Sequence, residues 1–229
     1  MTEAEWYGEA ETWRLFAALR APGAKHTASH RKFRLVACAC VREVRDRLGD
    51  DASKEAVILA EQFADGEVTR RMLAGSGIRR RPDESRKGSM VAQAARKTVS
   101  SSAVHAAGDA MNGVINALTL EGVEGVEGGG AWADLVSQCH QRMRTVLLDI
   151  LGYPFTVRRP DPQWPLWESG LARKSAQGIY DERRYADLPI LSDALEEAGC
   201  ADEALLGHLR GAGPHVRGCW ALDLVLGKS

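Results

Sequence analysis

Apolar side chains in this sequence return at every third or fourth position, and almost no stretch alternates at the two-residue period of a strand. That restricts the chain to helices packing on helices. The clearest case is residues 131–151, where Trp132, Leu135, Val136, Cys139, Met143, Val146, Leu147 and Ile150 share one stripe. Asp134, Gln138, Gln141, Arg142 and Arg144 take the other face, Gly152 stands at the C′ position and Pro154 bars continuation.

The same reading extends along the chain. Ser29 is an N-cap candidate for a helix over 30–48, with Phe33, Val36, Ala37, Cys40, Val41, Val44 and Leu48 on its apolar face. Residues 52–65 predict a shorter helix and 67–74 another turn or two. Residues 75–89 lack apolar periodicity and read as a mobile loop. Small apolar residues from Val91 to Leu118 predict one long helix or two short ones, weakened by Gly108 and Gly113. The glycine-rich stretch 121–130 reads as a linker without the order of a phosphate loop. Residues 152–167 hold prolines together with Phe155, Trp164 and Trp167, which predicts an extended arm packed across the helices. Short helices follow: 168–182, one capped by Asp187, one opened by Asp202, and a last one started by Pro214. The expected architecture is a single all-α domain over 1–229, an irregular multi-helix bundle. It comprises N-terminal helices 1–151, the proline/aromatic arm 152–167 and a C-terminal helical subdomain 168–229.

Composition removes several function classes. Thirty basic against 31 acidic residues leave a formal charge of −1, which argues against nucleic acid as a general partner. No apolar run reaches the ~18 residues of a membrane span, and the polar start MTEAEWYGEAETW is not a signal peptide. Five irregularly spaced cysteines without a leader suit reduced thiols in a cytoplasm.

Two cysteine settings carry chemistry. Cys38 lies off the main stripe of its helix, with Arg31, Arg34, Arg42 and Arg45 at helical spacing; clustered positive charge stabilises a thiolate, so Cys38 with Arg34, Arg42 and Arg45 is a candidate reactive thiol. A second buried helix face would explain the same position. Cys200, His208, His215 and Cys219 are the candidate metal set, with soft sulfur and imidazole donors suited to zinc, although their spacing matches no zinc-finger pattern. Ser100, Ser101 and Ser102 near His105 lack a marked orienting acid, so no catalytic residue is assigned there. The run Asp181, Glu182, Arg183, Arg184 reads as a solvated face. Arg79, Arg80, Arg81, Arg86, Lys87, Arg158 and Arg159 are the basic residues that could meet phosphates.

Three blocks, TEAEW, SHRKFRLVACACVREV and the closing stretch from IYDERRYADLP to GPHVRGCWALDLVLGK, together with the connector DILGYPFTVRRPDPQW, resemble an uncharacterised helical domain. That domain occurs in large paralogous sets in planctomycete bacteria of the Gemmata type. His215, Arg217, Cys219 and Trp220 match the family's GPHVRGCW ending, and Val41 stands where a third cysteine is common. The resemblance implies a bacterial, non-enzymatic interaction or adaptor module with a protein partner. The rival expectation is a thiol-redox or metal-binding protein or enzyme built on Cys38 or the His215/Cys219 region. No cofactor is required by the first reading; zinc belongs to the second.

Overall fold

The structure is a computed structural model. It describes all residues except 10, 22–24, 27, 75–85, 101, 123–128, 160–169 and 229, and only the backbone of 86–89, 120–122 and 129–130. Of the expected loop 75–89 and linker 121–130, residues 75–85 and 123–128 lie outside the described residues, as do Trp164, Trp167, Arg79 to Arg81 and the side chains of Arg86 and Lys87. Residues 86–89, 121–122 and 129–130 are helical instead, so the neighbouring helices run further into both segments than the lost apolar periodicity suggests.

The described residues form twelve α-helices and no strand. In order they are α1 (Glu3–Gly8), α2 (Thr12–Arg20), α3 (His30–Arg42), α4 (Asp51–Ala64), α5 (Arg70–Ala74), α6 (Arg86–Thr98), α7 (Ala103–Gly122), α8 (Gly129–Leu151), α9 (Leu171–Glu182), α10 (Leu188–Glu197), α11 (Glu203–Arg210) and α12 (Trp220–Leu226). The protein is an all-α multi-helix bundle. None of the described helices is long and apolar enough to cross a membrane.

Helix α3 is the hub. Ser29 caps it, accepting from the Lys32 amide at 3.2 Å. It packs on α4, α6, α7 and α8, so every residue from Lys32 to Val41 is buried. A helix surrounded by four others has no solvated side, and its polar positions go inside with the rest. The small residues of α6 and α7 let those helices approach closely: a Cβ on Gly113 would stand 3.1 Å from the Cβ of Ala94. The expected 90–118 segment is two helices, broken where the Arg34 guanidinium bonds the Thr98 and Ser100 carbonyls.

Buried side chains gather in two apolar clusters. The larger joins α1 to α8, and the second joins α9 to α12. Several expectations change. α1 and α2 were not read from the sequence; α1 carries a Thr2/Glu5 capping box and buries Trp6. The stripe of α8 becomes buried only from Cys139 onward, since Trp132 is 50% exposed and Leu135 and Val136 are half-buried. Asp187 makes no capping bond and instead accepts from Arg184. The last helix begins at Trp220, not at Pro214, because Gly213 and Gly218 take positive φ values of 79° and 93° and break any helix between them.

Candidate metal centre

Asp149, His208, His215 and Cys219 converge between the two clusters. Asp149 comes from α8, His208 from α11, His215 from the irregular segment 211–219, and Cys219 caps α12. One ligand-type atom from each residue lies within 4.8 Å of the other three. The Asp149 Oδ1 atom is 3.0 Å from His208 Nε2 and 2.8 Å from His215 Nδ1. The Cys219 Sγ atom is 3.2 Å from His208 Nε2 and 4.0 Å from His215 Nδ1. Tetrahedral zinc with bonds of ~2.0–2.3 Å needs ligand-to-ligand edges of about 3.3–3.7 Å. The four edges above bracket that range and every pair lies within 4.8 Å, so side-chain shifts of up to about 1 Å would admit the ion.

The surrounding bonds fix these donors. The Val216 amide donates to Asp149 Oδ2 at 2.9 Å. His215 Nε2 lies 3.2 Å from the Gly211 carbonyl, which can only accept, so the Nε2 atom carries hydrogen and Nδ1 is the ring atom turned to Asp149. A neutral imidazole would then set a lone pair against a carboxylate at hydrogen-bond distance. Only a second proton or a cation between them resolves that contact. Outer bonding of this kind is what orients metal-ligating histidines.

The electrostatics agree. Burial pushes the Asp149 carboxyl up, but its bonds to His208 and His215 outweigh this and hold it below the usual carboxylate range. Burial would lower the His215 imidazole; the Asp149 carboxylate reverses that and raises it. Burial and the Asp149 charge push the Cys219 thiol well above its usual value, so its thiolate needs a positive partner.

A catalytic Cys–His–Asp relay has a different geometry. There the acid holds the ring nitrogen remote from the nucleophile. Here Asp149 and Cys219 both meet Nε2 of His208. Cys219 is also fully buried, out of reach of a substrate. Four donors converging on one point suit a metal ion.

The sequence-predicted residues fare unequally. His208, His215 and Cys219 are brought together. Cys200 is not: it follows Gly199 at the end of α10 and is buried in the second apolar cluster. Asp149 takes the fourth place, a residue that the sequence reading missed although it interrupts the apolar run LLDIL. No disulfide joins any of the five cysteines.

Cys38 lies in the first cluster, fully buried, with its Sγ 3.8 Å from the Val57 carbonyl. Its arginines are engaged elsewhere: Arg34 bonds backbone carbonyls, Arg42 makes two bonds to Glu61 at 2.6 and 2.7 Å, and Arg45 belongs to a 3₁₀ turn beyond α3. Burial and the Glu61 charge push this thiol well above its usual value, against the pull of Arg34 and Arg42. Its surroundings suppress a thiolate. His105 accepts no acid either, since its Nδ1 meets Ser102 at 2.7 Å and its Nε2 meets Arg20 at 3.1 Å.

The centre sits in a polar seam between the clusters. Asp223 on α12 pairs with Arg31 at 2.6 Å and with Lys32, both on α3. Asp65 receives Arg31, Arg217 and the Tyr180 hydroxyl. Arg183 reaches buried Glu61, so the expected solvated charge run contributes to this seam. Arg217 of the GPHVRGCW stretch also stacks over the Tyr180 ring at 4.8 Å, and Trp220 lies 5.0 Å from His208.

No family model, curated protein or solved structure matches this chain.

Proposed function

We propose that this chain is a metal-binding helical module in which Asp149, His208, His215 and Cys219 hold a zinc-class divalent ion. The observation that carries it is the convergence of four such donors within 4.8 Å. One thiolate, two imidazoles and one carboxylate form a borderline-soft set suited to zinc. When bound, the ion supplies the positive charge that Asp149 and Cys219 lack a full complement for, and it cross-links α8 to α11 and α12.

Four protein donors leave no open coordination position, which supports a structural centre over a catalytic one. The module then acts through protein contacts, as an interaction or adaptor unit. A reducing, cytoplasmic setting would keep Cys219 available as a ligand. Two of the four donors, His215 and Cys219, fall within the ending shared with the planctomycete helical domain, so membership of that family would make the centre a family property.

The test is metal analysis of the purified protein, followed by cobalt substitution. One equivalent of zinc is expected, with a thiolate-to-cobalt charge-transfer band that disappears in Cys219→Ala and with metal retention lost in Asp149→Ala. Protein that takes up no stoichiometric metal after reduction, and whose melting temperature ignores zinc, overturns the reading.

A further inference from the structure

Beside the centre, and independent of it, the start of the proline arm encloses a second feature. Residues 152–158 leave α8 along a fixed path. The Trp6 indole donates to the Gly152 carbonyl at 2.7 Å, and Phe155 stands edge-on to Trp6 with centroids 5.6 Å apart. Gly152 has φ +55°, and a Cβ there would approach Trp220 Cγ to 2.9 Å. Only glycine lets the arm lie against that indole.

Between this segment, α3 and α12 is a cavity of ≈ 250 Å³. That is slightly below the ~300–1,000 Å³ of drug-sized ligand sites and suits a smaller molecule. Leu151, Tyr153, Val157, Trp220 and Leu224 give it apolar walls. Its charged lining is of one sign: Lys32, Arg158 and Lys228, with no carboxylate among the described lining residues. The Lys32 ammonium is already matched, by Asp223 and by the Gly218 carbonyl at 2.7 Å. Arg158 lies over the Trp220 ring at 5.0 Å and meets Glu3 and Asp202 only at 3.3 and 3.4 Å. Lys228 lies 4.5 Å from the centre of the Tyr180 ring and makes no ion pair with a described carboxylate. Of the three cations only Lys228 lacks a carboxylate among the described residues, which leaves one uncompensated positive charge beside apolar walls and favours an amphiphilic anion.

We propose that this cavity binds a small ligand carrying one oxyanion, a carboxylate or a phosphate, on a short apolar body. The oxyanion meets Lys228, while the body lies against Leu151, Val157 and Leu224. The ligand bridges the arm and α12, adding contacts across the seam.

Calorimetric titration of the full-length protein, with and without zinc, tests this with three probes: octanoate, phenyl phosphate and neutral 1-octanol. Saturable binding of either anion is expected, with octanol at least ten-fold weaker. Octanoate alone identifies a carboxylate site, and phenyl phosphate alone a phosphate site. Lys228→Glu should weaken binding at least ten-fold. Val157→Glu, at a residue 64% exposed on the rim, should weaken it in the same direction without touching Tyr180. Octanol binding as tightly as the anions, no saturable binding of any probe, or wild-type affinity in both variants overturns the proposal.

Discussion

Cys38 and Cys219 are equally buried, and burial pushes both thiols well above their ordinary range. Their neighbours differ. Cys38 has a backbone carbonyl at 3.8 Å and arginines already committed to Thr98, Ser100 and Glu61. Cys219 has two imidazoles and a carboxylate converging on the same point. A charge count along a helix favoured the first thiol; spatial convergence favours the second. At Cys38, burial and the Glu61 charge outweigh the pull of Arg34 and Arg42, whereas donors left facing one another around Cys219 call for a proton or a cation between them.

The sharpest way to break this comparison is metal. Zinc at about 1,000 times its dissociation constant should stabilise the protein by about 4 kcal/mol, raising the melting temperature by about 10 °C. Calorimetry with zinc against chelator measures this; Cys38→Ala should keep the shift and Cys219→Ala should lose it. An equal shift in both variants would remove Cys219 from the centre.

The seam gives the next effect. Asp223→Ala leaves Arg31 and Lys32 without their shared carboxylate, and breaking such a buried pair costs about 3–5 kcal/mol. Urea unfolding should show it as a lower midpoint; a loss below about 1 kcal/mol would make the seam ornamental to stability.

Glu61 supplies a pH-dependent contrast. Burial raises its carboxyl, but Arg42 and Arg183 outweigh that and hold it below the usual range. A depressed folded pKa contributes stability above the unfolded carboxylate pKa of ~4.3 and loses it as pH falls through the folded value. The stability gap between wild type and Glu61→Gln should therefore narrow progressively in acid. A gap that stays constant from pH 7 down to acid unfolding contradicts the assignment.

The smallest effect concerns Cys38 itself. Cys38→Ala should cost only about 1 kcal/mol, and the native thiol should resist a mild alkylating agent at neutral pH until the protein unfolds. Rapid native labelling of Cys38 would reverse the comparison.

Much of the helix inventory was legible because apolar spacing and capping chemistry are local. Ser29 and Asp202 cap the helices they were expected to cap, each accepting the amide three residues on. Gly152 ends α8 with the positive φ that its position predicted. Trp132 marks the limit of that reasoning: it belongs to the stripe by spacing yet stands half-exposed, because spacing assigns a side chain to a face and not to a neighbour that covers it. The centre was legible in three of its four donors, since His208, His215 and Cys219 are chemically conspicuous and close in sequence. Asp149 was not, being 59 residues from His208 on a different helix. The lone acid in LLDIL was its only local trace.

By itself, then, the sequence determined an all-α chain, most of its helices, and a C-terminal stretch rich in metal-type donors. Tertiary structure alone decided that α3 is enclosed, that Arg34 and Arg42 bond carbonyls and Glu61, and that Asp149 replaces Cys200 beside the two histidines. The physical reason is range. Helix formation and capping are settled within a few residues, whereas burial, charge neutralisation and ligand convergence depend on which distant surfaces meet.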